Sequence, residues 1–202
     1  MKRAAIVLVV LLLSVTVVSA VGCGGSGGDS GYKELEAEAA ALYETAQADW
    51  DVLYAKIKQA NTDTEQLIMN AMGGTIASIP PEKRTGLVGE TRALITECDS
   101  VQAEFEALDN PEFKKYKGID AYALYAEAMT KAIGAYKQLL ELGVSFLSKI
   151  EPALASGDTA AINAAIQGAM ADVTQIQEAI KNADAALAEA DSIKASERLG
   201  VK

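Results

Sequence analysis

From Tyr32 onward the apolar positions recur at alternating intervals of three and four residues, the spacing that gathers side chains on one face of a helix. A first helix is predicted from Tyr32 to Ala60, with Leu35, Ala39, Leu42, Ala46, Trp50, Leu53, Ile57 and Ala60 as its stripe. A second is predicted over 81–108, opening at Pro81 and carrying Leu87, Thr91, Leu94, Cys98, Val101, Phe105 and Leu108. A third, over 119–155, runs from Ile119 and Tyr122 through Ile133, Tyr136, Leu140 and Gly143 to Ile150 and Leu154. The fourth, over 158–194, is the most regular: Ile162, Ile166, Ala169, Val173, Ile176, Ile180, Ala183, Leu187 and Ala190. No stretch alternates as a strand does. The pattern therefore predicts an all-α fold, an elongated antiparallel four-helix bundle with coiled-coil-like seams.

The connections refine this picture. Thr62 with Glu65 reads as a capping box, opening a short helical cap that includes Leu67, Ile68, Met69 and Met72. Gly73-Gly74 ends it, ahead of Ile76, Ile79 and Pro80-Pro81. Such a segment is either a lid (Met69 and Met72 on a Gly73-Gly74 hinge) or a plain cap on the core, and its apolar content favours packing. It leaves open whether the first connection closes a hairpin or crosses the bundle. Asp109-Asn110-Pro111 and Gly118 separate the second and third helices, and Pro152 is expected to kink or end the third near Ser148. Gly157 and Asp158 read as C-terminal stop and N-cap. The tail from about Ala195 is expected to fray.

Ahead of the helices, Met1-Lys2-Arg3 and the apolar run from Ala4 to Val21 have the layout of a secretory signal. The run ends in Ala20-Val21-Gly22-Cys23, which resembles the lipobox of bacterial membrane lipoproteins, although that family more often has Leu where Ala20 stands. The resemblance covers the first 23 residues only. It implies cleavage after Gly22, and a fatty acyl anchor such as palmitate on Cys23. The chain then divides into a signal peptide (1–22), a Gly/Ser tether (23–31) and a helical domain (32–202) of about 170 residues, an ordinary single domain. An uncleaved membrane helix is the alternative, since the run is near the lower limit of a span. Either way, Lys2 and Arg3 place the domain on the extracytoplasmic side.

Composition narrows the chemistry. Losing Lys2 and Arg3 with the signal leaves 16 basic against 28 acidic residues, a net charge of −12. Such a surface argues against nucleic acid and anionic lipid as partners, and the cluster Lys114, Lys115, Lys117 reads as solvated surface. Histidine is absent, which removes the commonest general base, the His-containing triads and the usual zinc and haem ligands. The four stripes carry no carboxylate, so paired-acid catalysis has no evident seat. Cys98 lies on a stripe between Glu97 and Asp99 and reads as a small buried hydrophobe rather than a reactive thiol. No enzymatic activity, metal or cofactor is expected beyond the lipid on Cys23.

Tyrosine is the one unusual feature. Tyr32, Tyr43 and Tyr54 repeat every 11 residues, with Trp50 one turn before Tyr54, and Tyr116, Tyr122, Tyr125 and Tyr136 form a second group. The leading expectation is a membrane-anchored extracytoplasmic module that binds or scaffolds an envelope protein without catalysis. The alternative is a small-molecule carrier whose inter-helix pocket is lined by Tyr43, Trp50, Tyr54, Tyr122 and Tyr136.

Overall fold

The structure is a computed structural model, and it describes residues 29–200. Gly22, Cys23, the signal and most of the tether lie outside the described residues. The chain divides into Met1–Gly31 and Tyr32–Lys202, and the second unit is the bundle. Among the described residues there are five α-helices and no strand: α1 (Asp29–Met72), α2 (Leu87–Leu108), α3 (Asp120–Ser156), α4 (Thr159–Gly168) and α5 (Met170–Ser196). Arms α1, α2, α3 and α4–α5 make the expected all-α bundle.

Side-chain contacts define the topology. Lys56 of α1 bonds Glu97 of α2 at 2.6 Å, and Asp49 of α1 faces Glu104 further along α2, so the first connection closes an antiparallel hairpin. Phe105 meets Tyr125, and Asp99 meets Lys137 at 2.5 Å, which makes α2 and α3 antiparallel. Tyr136 donates to Asp184 and Lys149 pairs with Asp172, which does the same for α3 and α5. Along α1 and α3 the numbers rise together (Tyr43 against Tyr122, Trp50 against Tyr136), so these two lie parallel across the bundle. The direction is up-down-up-down.

α3 occupies the middle. Its predicted stripe is buried apart from the half-exposed Tyr122 and Gly143, and so are Ala121, Ala123, Tyr125, Ala128, Ala132, Leu139 and Phe146. Helices on several sides need more than one apolar face, and alanines let the neighbouring backbones come close. The buried side chains form two clusters. One runs from Ala39 to Ile57 on α1 and includes Phe105, Met129, Ile133 and Ala183. The other gathers Leu67, Ala71, Ile76, Phe146, Ile150, Leu154, Ile162 and Ile166. Each fully buried large side chain contributes on the order of 1.5–3 kcal/mol.

Four boundaries differ from the sequence pattern, each for a local reason. α1 begins at Asp29, inside the expected tether, and it does not stop at Ala60. Thr62 donates to the Lys58 carbonyl at 3.0 Å, a bond made within a helix rather than at its start. The same four-three repeat then continues through Thr64, Leu67 and Ala71. The expected separate short helix is thus the end of α1. α2 starts at Leu87 rather than Pro81, because a 3-10 turn (Pro81–Lys83) and Gly86 at φ 89° intervene. α3 keeps its expected end, running through Pro152 to Ser156, so the proline does not stop the helix near Ser148. The expected fourth helix divides at Ala169, whose φ of −99° and ψ of 8° interrupt the helix.

The expected fraying at the C-terminus is replaced by a closed turn. Arg198 adopts φ 55°, its N–H donates to the Ala195 carbonyl, and Leu199 N–H donates to the Lys194 carbonyl at 3.1 Å. This is a Schellman cap with arginine where glycine is usual, and it tucks Leu199 into the core. The corner between α3 and α4 follows expectation: Gly157 is left-handed, and the Asp158 carboxylate accepts from the Ala160 and Ala161 N–H groups.

Candidate functional site

A crevice of about 260 Å³ opens between the second half of α1, the middle of α3 and the start of α5. Small seam residues create it. Ala60 on α1 and Gly143 on α3 leave a gap deep enough that Thr91 of α2 lines it from behind. A Cβ built on Gly143 would meet only the Thr91 methyl, at 3.9 Å. The Thr91 hydroxyl is turned back to the Leu87 carbonyl at 2.8 Å, which leaves its methyl for the crevice. Leu139, Leu140, Phe146 and Leu147 form the apolar floor, with Val173, Ile176 and Ile180 on the α5 side.

The rim is polar. Asn61, Thr64 and Glu65 stand on α1 and Gln177 on α5, and none of these four side chains is engaged by another described residue. Both walls continue in the same direction. Asn61, Glu65, Ile68 and Met72 follow one face of α1 at steps of four, three and four. Ile180, Gln177, Val173 and Met170 follow one face of α5 at steps of three, four and three. The helices are antiparallel, so Met72 and Met170, 63% and 54% exposed, lie beyond the same end of the crevice. Met69 is more exposed still, at 72%.

The candidate lid residues therefore belong to a helix end. Gly73-Gly74, the candidate hinge, cap α1: Gly74 N–H donates to the Ala71 carbonyl and Thr75 N–H to the Asn70 carbonyl at 2.9 Å. Gly74 sits at φ 74°, and Ile76 beyond it is fully buried, which ties the following turn to the core.

The five candidate aromatic residues do come together, in two groups of rings that pack on one another. Trp50 stacks on Tyr54 at 5.3 Å, and Tyr136 meets both. Tyr43 meets Tyr122 and Tyr125, each edge-on at 5.5 Å. Two of the buried hydroxyls are also partnered: Tyr136 donates to Asp184 at 2.8 Å and Tyr125 to Gln47 at 2.6 Å. Burial, aided in Tyr136 by Asp184 and Tyr54, pushes the phenols of Tyr125 and Tyr136 well above their ordinary value. Tyr43 and Tyr122 also line a separate recess of about 310 Å³ with Gly118, Arg198 and Gly200.

Two titratable groups sit in unusual surroundings. Cys98 is fully buried, and burial together with Asp99 raises its thiol to about 11, which suits an inert packing residue. Glu104 is the group that pattern reasoning missed. It lies beside a stripe rather than on it, and only the register of α1 against α2 brings Asp49 to face it. Its buried Oε2 has no donor, and burial followed by the Asp49 charge raises its carboxyl to about 7. A proton held there turns the pair into a hydrogen bond. Lys114 and Lys115, from the basic cluster, pair with Asp109 and Glu112.

Among the described residues no group of three or more His, Cys, Asp or Glu is arranged to hold a metal ion, and no helix is long and apolar enough to cross a membrane. No protein-family model, curated protein or solved structure matches this chain.

Proposed function

We propose that this protein is a lipid-anchored, extracytoplasmic binding module without catalytic activity, held at the membrane by an acyl group on Cys23. In this reading it engages an envelope protein through the face that contains the crevice. The observation that supports it is the apolar crevice beside Met69 and Met72, whose walls run on into exposed methionines. Flexible, polarizable methionine suits a surface that adapts to a partner. The chain's acidic net charge favours a partner with basic residues flanking apolar anchors.

The test is a photo-crosslinker placed at Met72 in the full-length protein in its own cells, with a second at Lys117 as control. A discrete adduct from Met72 alone, lost when Ile180→Arg charges the crevice wall, is the expected result. Equal adducts from both positions refute the assignment. The anchor is checked separately: Cys23→Ala is expected to leave an unprocessed precursor, and an unchanged mature mass refutes lipidation.

A second reading, a small-molecule carrier, is favoured by the depth of the crevice rather than by the tyrosines. Thr91 lining it from a helix behind α1 and α3 makes it a pocket into the seam as well as a surface groove.

A further inference from the structure

We infer that the crevice takes a small organic amine, with an apolar body seated on Gly143 and its ammonium group held at the Glu65 rim. The inference rests on the carrier reading above and gives it a ligand class. Three features lead to it.

The first is size. The space is about 260 Å³, against roughly 150 Å³ for an engineered apolar cavity that admits benzene. One aromatic ring with a short alkyl arm fits such a space; a full lipid does not. The second is charge. Among the described residues that line the crevice, Glu65 is the one acidic residue and no basic residue is present. A carboxylate or phosphate ligand would meet a like charge with no cation to offset it. The third is hydrogen-bonding sense. An ammonium group has three donors and no acceptor. Glu65, Asn61, Gln177 and Thr64 each present an acceptor oxygen, and none is used by another described residue. An apolar cleft with a few unspent polar groups converging at its mouth is the usual build of a small-ligand site.

The test uses the full chain in zwitterionic phospholipid nanodiscs, with isoleucine methyl groups labelled for NMR. The probes are 4-phenylbutylamine, 4-phenylbutanol and 5-phenylpentanoate, which share one phenyl-tetramethylene body and differ in head charge. Ile68, Ile176 and Ile180 line the crevice, whereas Ile119 and Ile133 are buried core residues that do not. Shifts confined to the first three therefore report site binding rather than partition into lipid. The expected result is binding of the amine about tenfold or more tighter than the carboxylate, with the alcohol between them. Glu65→Gln is expected to erase the amine's advantage while retaining alcohol binding. High salt is expected to narrow the gap between amine and carboxylate.

Equal binding of all three probes, unchanged by Glu65→Gln, overturns the amine assignment while the small-molecule pocket stands. No shift at the crevice isoleucines with any probe overturns both. Gly143→Leu, which fills the space, is expected to abolish binding of all three. Because that variant risks misfolding, the exposed Glu65→Gln keeps the head-group claim decidable on its own.

Discussion

Replacing Glu104 by glutamine tests the inter-helix carboxyl pair directly. The folded-state carboxyl is raised from 4.5 to about 7, first by burial and then by the charge and hydrogen bond of Asp49. A raised acid binds its proton more tightly folded than unfolded, so the associated stability is fully present below about 4.5. It is lost as pH rises through about 7. At about 1.4 kcal/mol per pKa unit, the shift corresponds to roughly 3 kcal/mol for a fully desolvated group. Glu104 is only part-buried, and solvent screening reduces the expectation to about 1–2 kcal/mol. Glutamine keeps the shape, carries no charge and donates to Asp49 at every pH. Glu104→Gln should therefore match wild type at pH 4.5 and exceed it by about 1–2 kcal/mol at pH 8, a rise in Tm of about 2–8 °C for a domain of this size. Thermal melts followed by circular dichroism at pH 4.5, 6, 7 and 8 give the difference curve, in which the other carboxylates cancel. Asp49→Asn should reproduce part of the gain, and the double variant should show less than the sum. A pH-independent difference, or a loss of stability at pH 8, refutes the pairing.

Four further outcomes follow from local geometry. Gly134 lies in the middle of α3 with open space where a Cβ would stand, so Gly134→Ala should stabilise by about 1 kcal/mol in urea titration. Gly157→Ala should do the reverse, by about 1–3 kcal/mol, because φ is +71° and the new Cβ would lie 2.5 Å from Arg84 Nη1, the group that donates to the Leu154 carbonyl. Arg198→Gly should relieve a left-handed non-glycine residue and raise stability by about 1 kcal/mol. In a Cys23→Ala background the buried, high-pKa Cys98 thiol should react with Ellman's reagent at pH 8 only as fast as the bundle opens; labelling within seconds in native buffer would contradict its burial.

The helical pattern was most legible where one stripe meets one seam. Every predicted stripe residue of α2 from Thr91 to Leu108 is buried, and Leu87 at its start is half-buried. It was least legible where local and distant demands look alike. Thr62 and Glu65 have the spacing of a helix start, yet Thr64, Leu67 and Ala71 keep the repeat running to Met72. A single stripe drawn on α3 assumes neighbours on one side, so Tyr125, Leu139 and Phe146 were not anticipated. At Ala60 and Gly143 the sequence shows only that side chains are small. Whether small residues bring backbones together or leave a hole depends on how the facing helices diverge, and that is settled between elements rather than within one. The Asp49–Glu104 pair was hidden for the same reason.

The closed turn at Leu199 has a kinetic consequence. Gly200 and Tyr43 line the same recess, and Lys194 lies 6.0 Å above the Tyr43 ring, so the last helix docks on the first across nearly the whole length of the chain. The α1–α2 and α2–α3 connections are far shorter than the separation of α1 from α5, so loop-closure entropy favours forming those hairpins first. A three-helix intermediate would then display the side of α3 destined for α5, with Leu139, Leu140 and Leu147 uncovered. That interval is the one in which a chaperone or a second nascent copy competes for the place of α5. Truncation at the C-terminal turn would lengthen it.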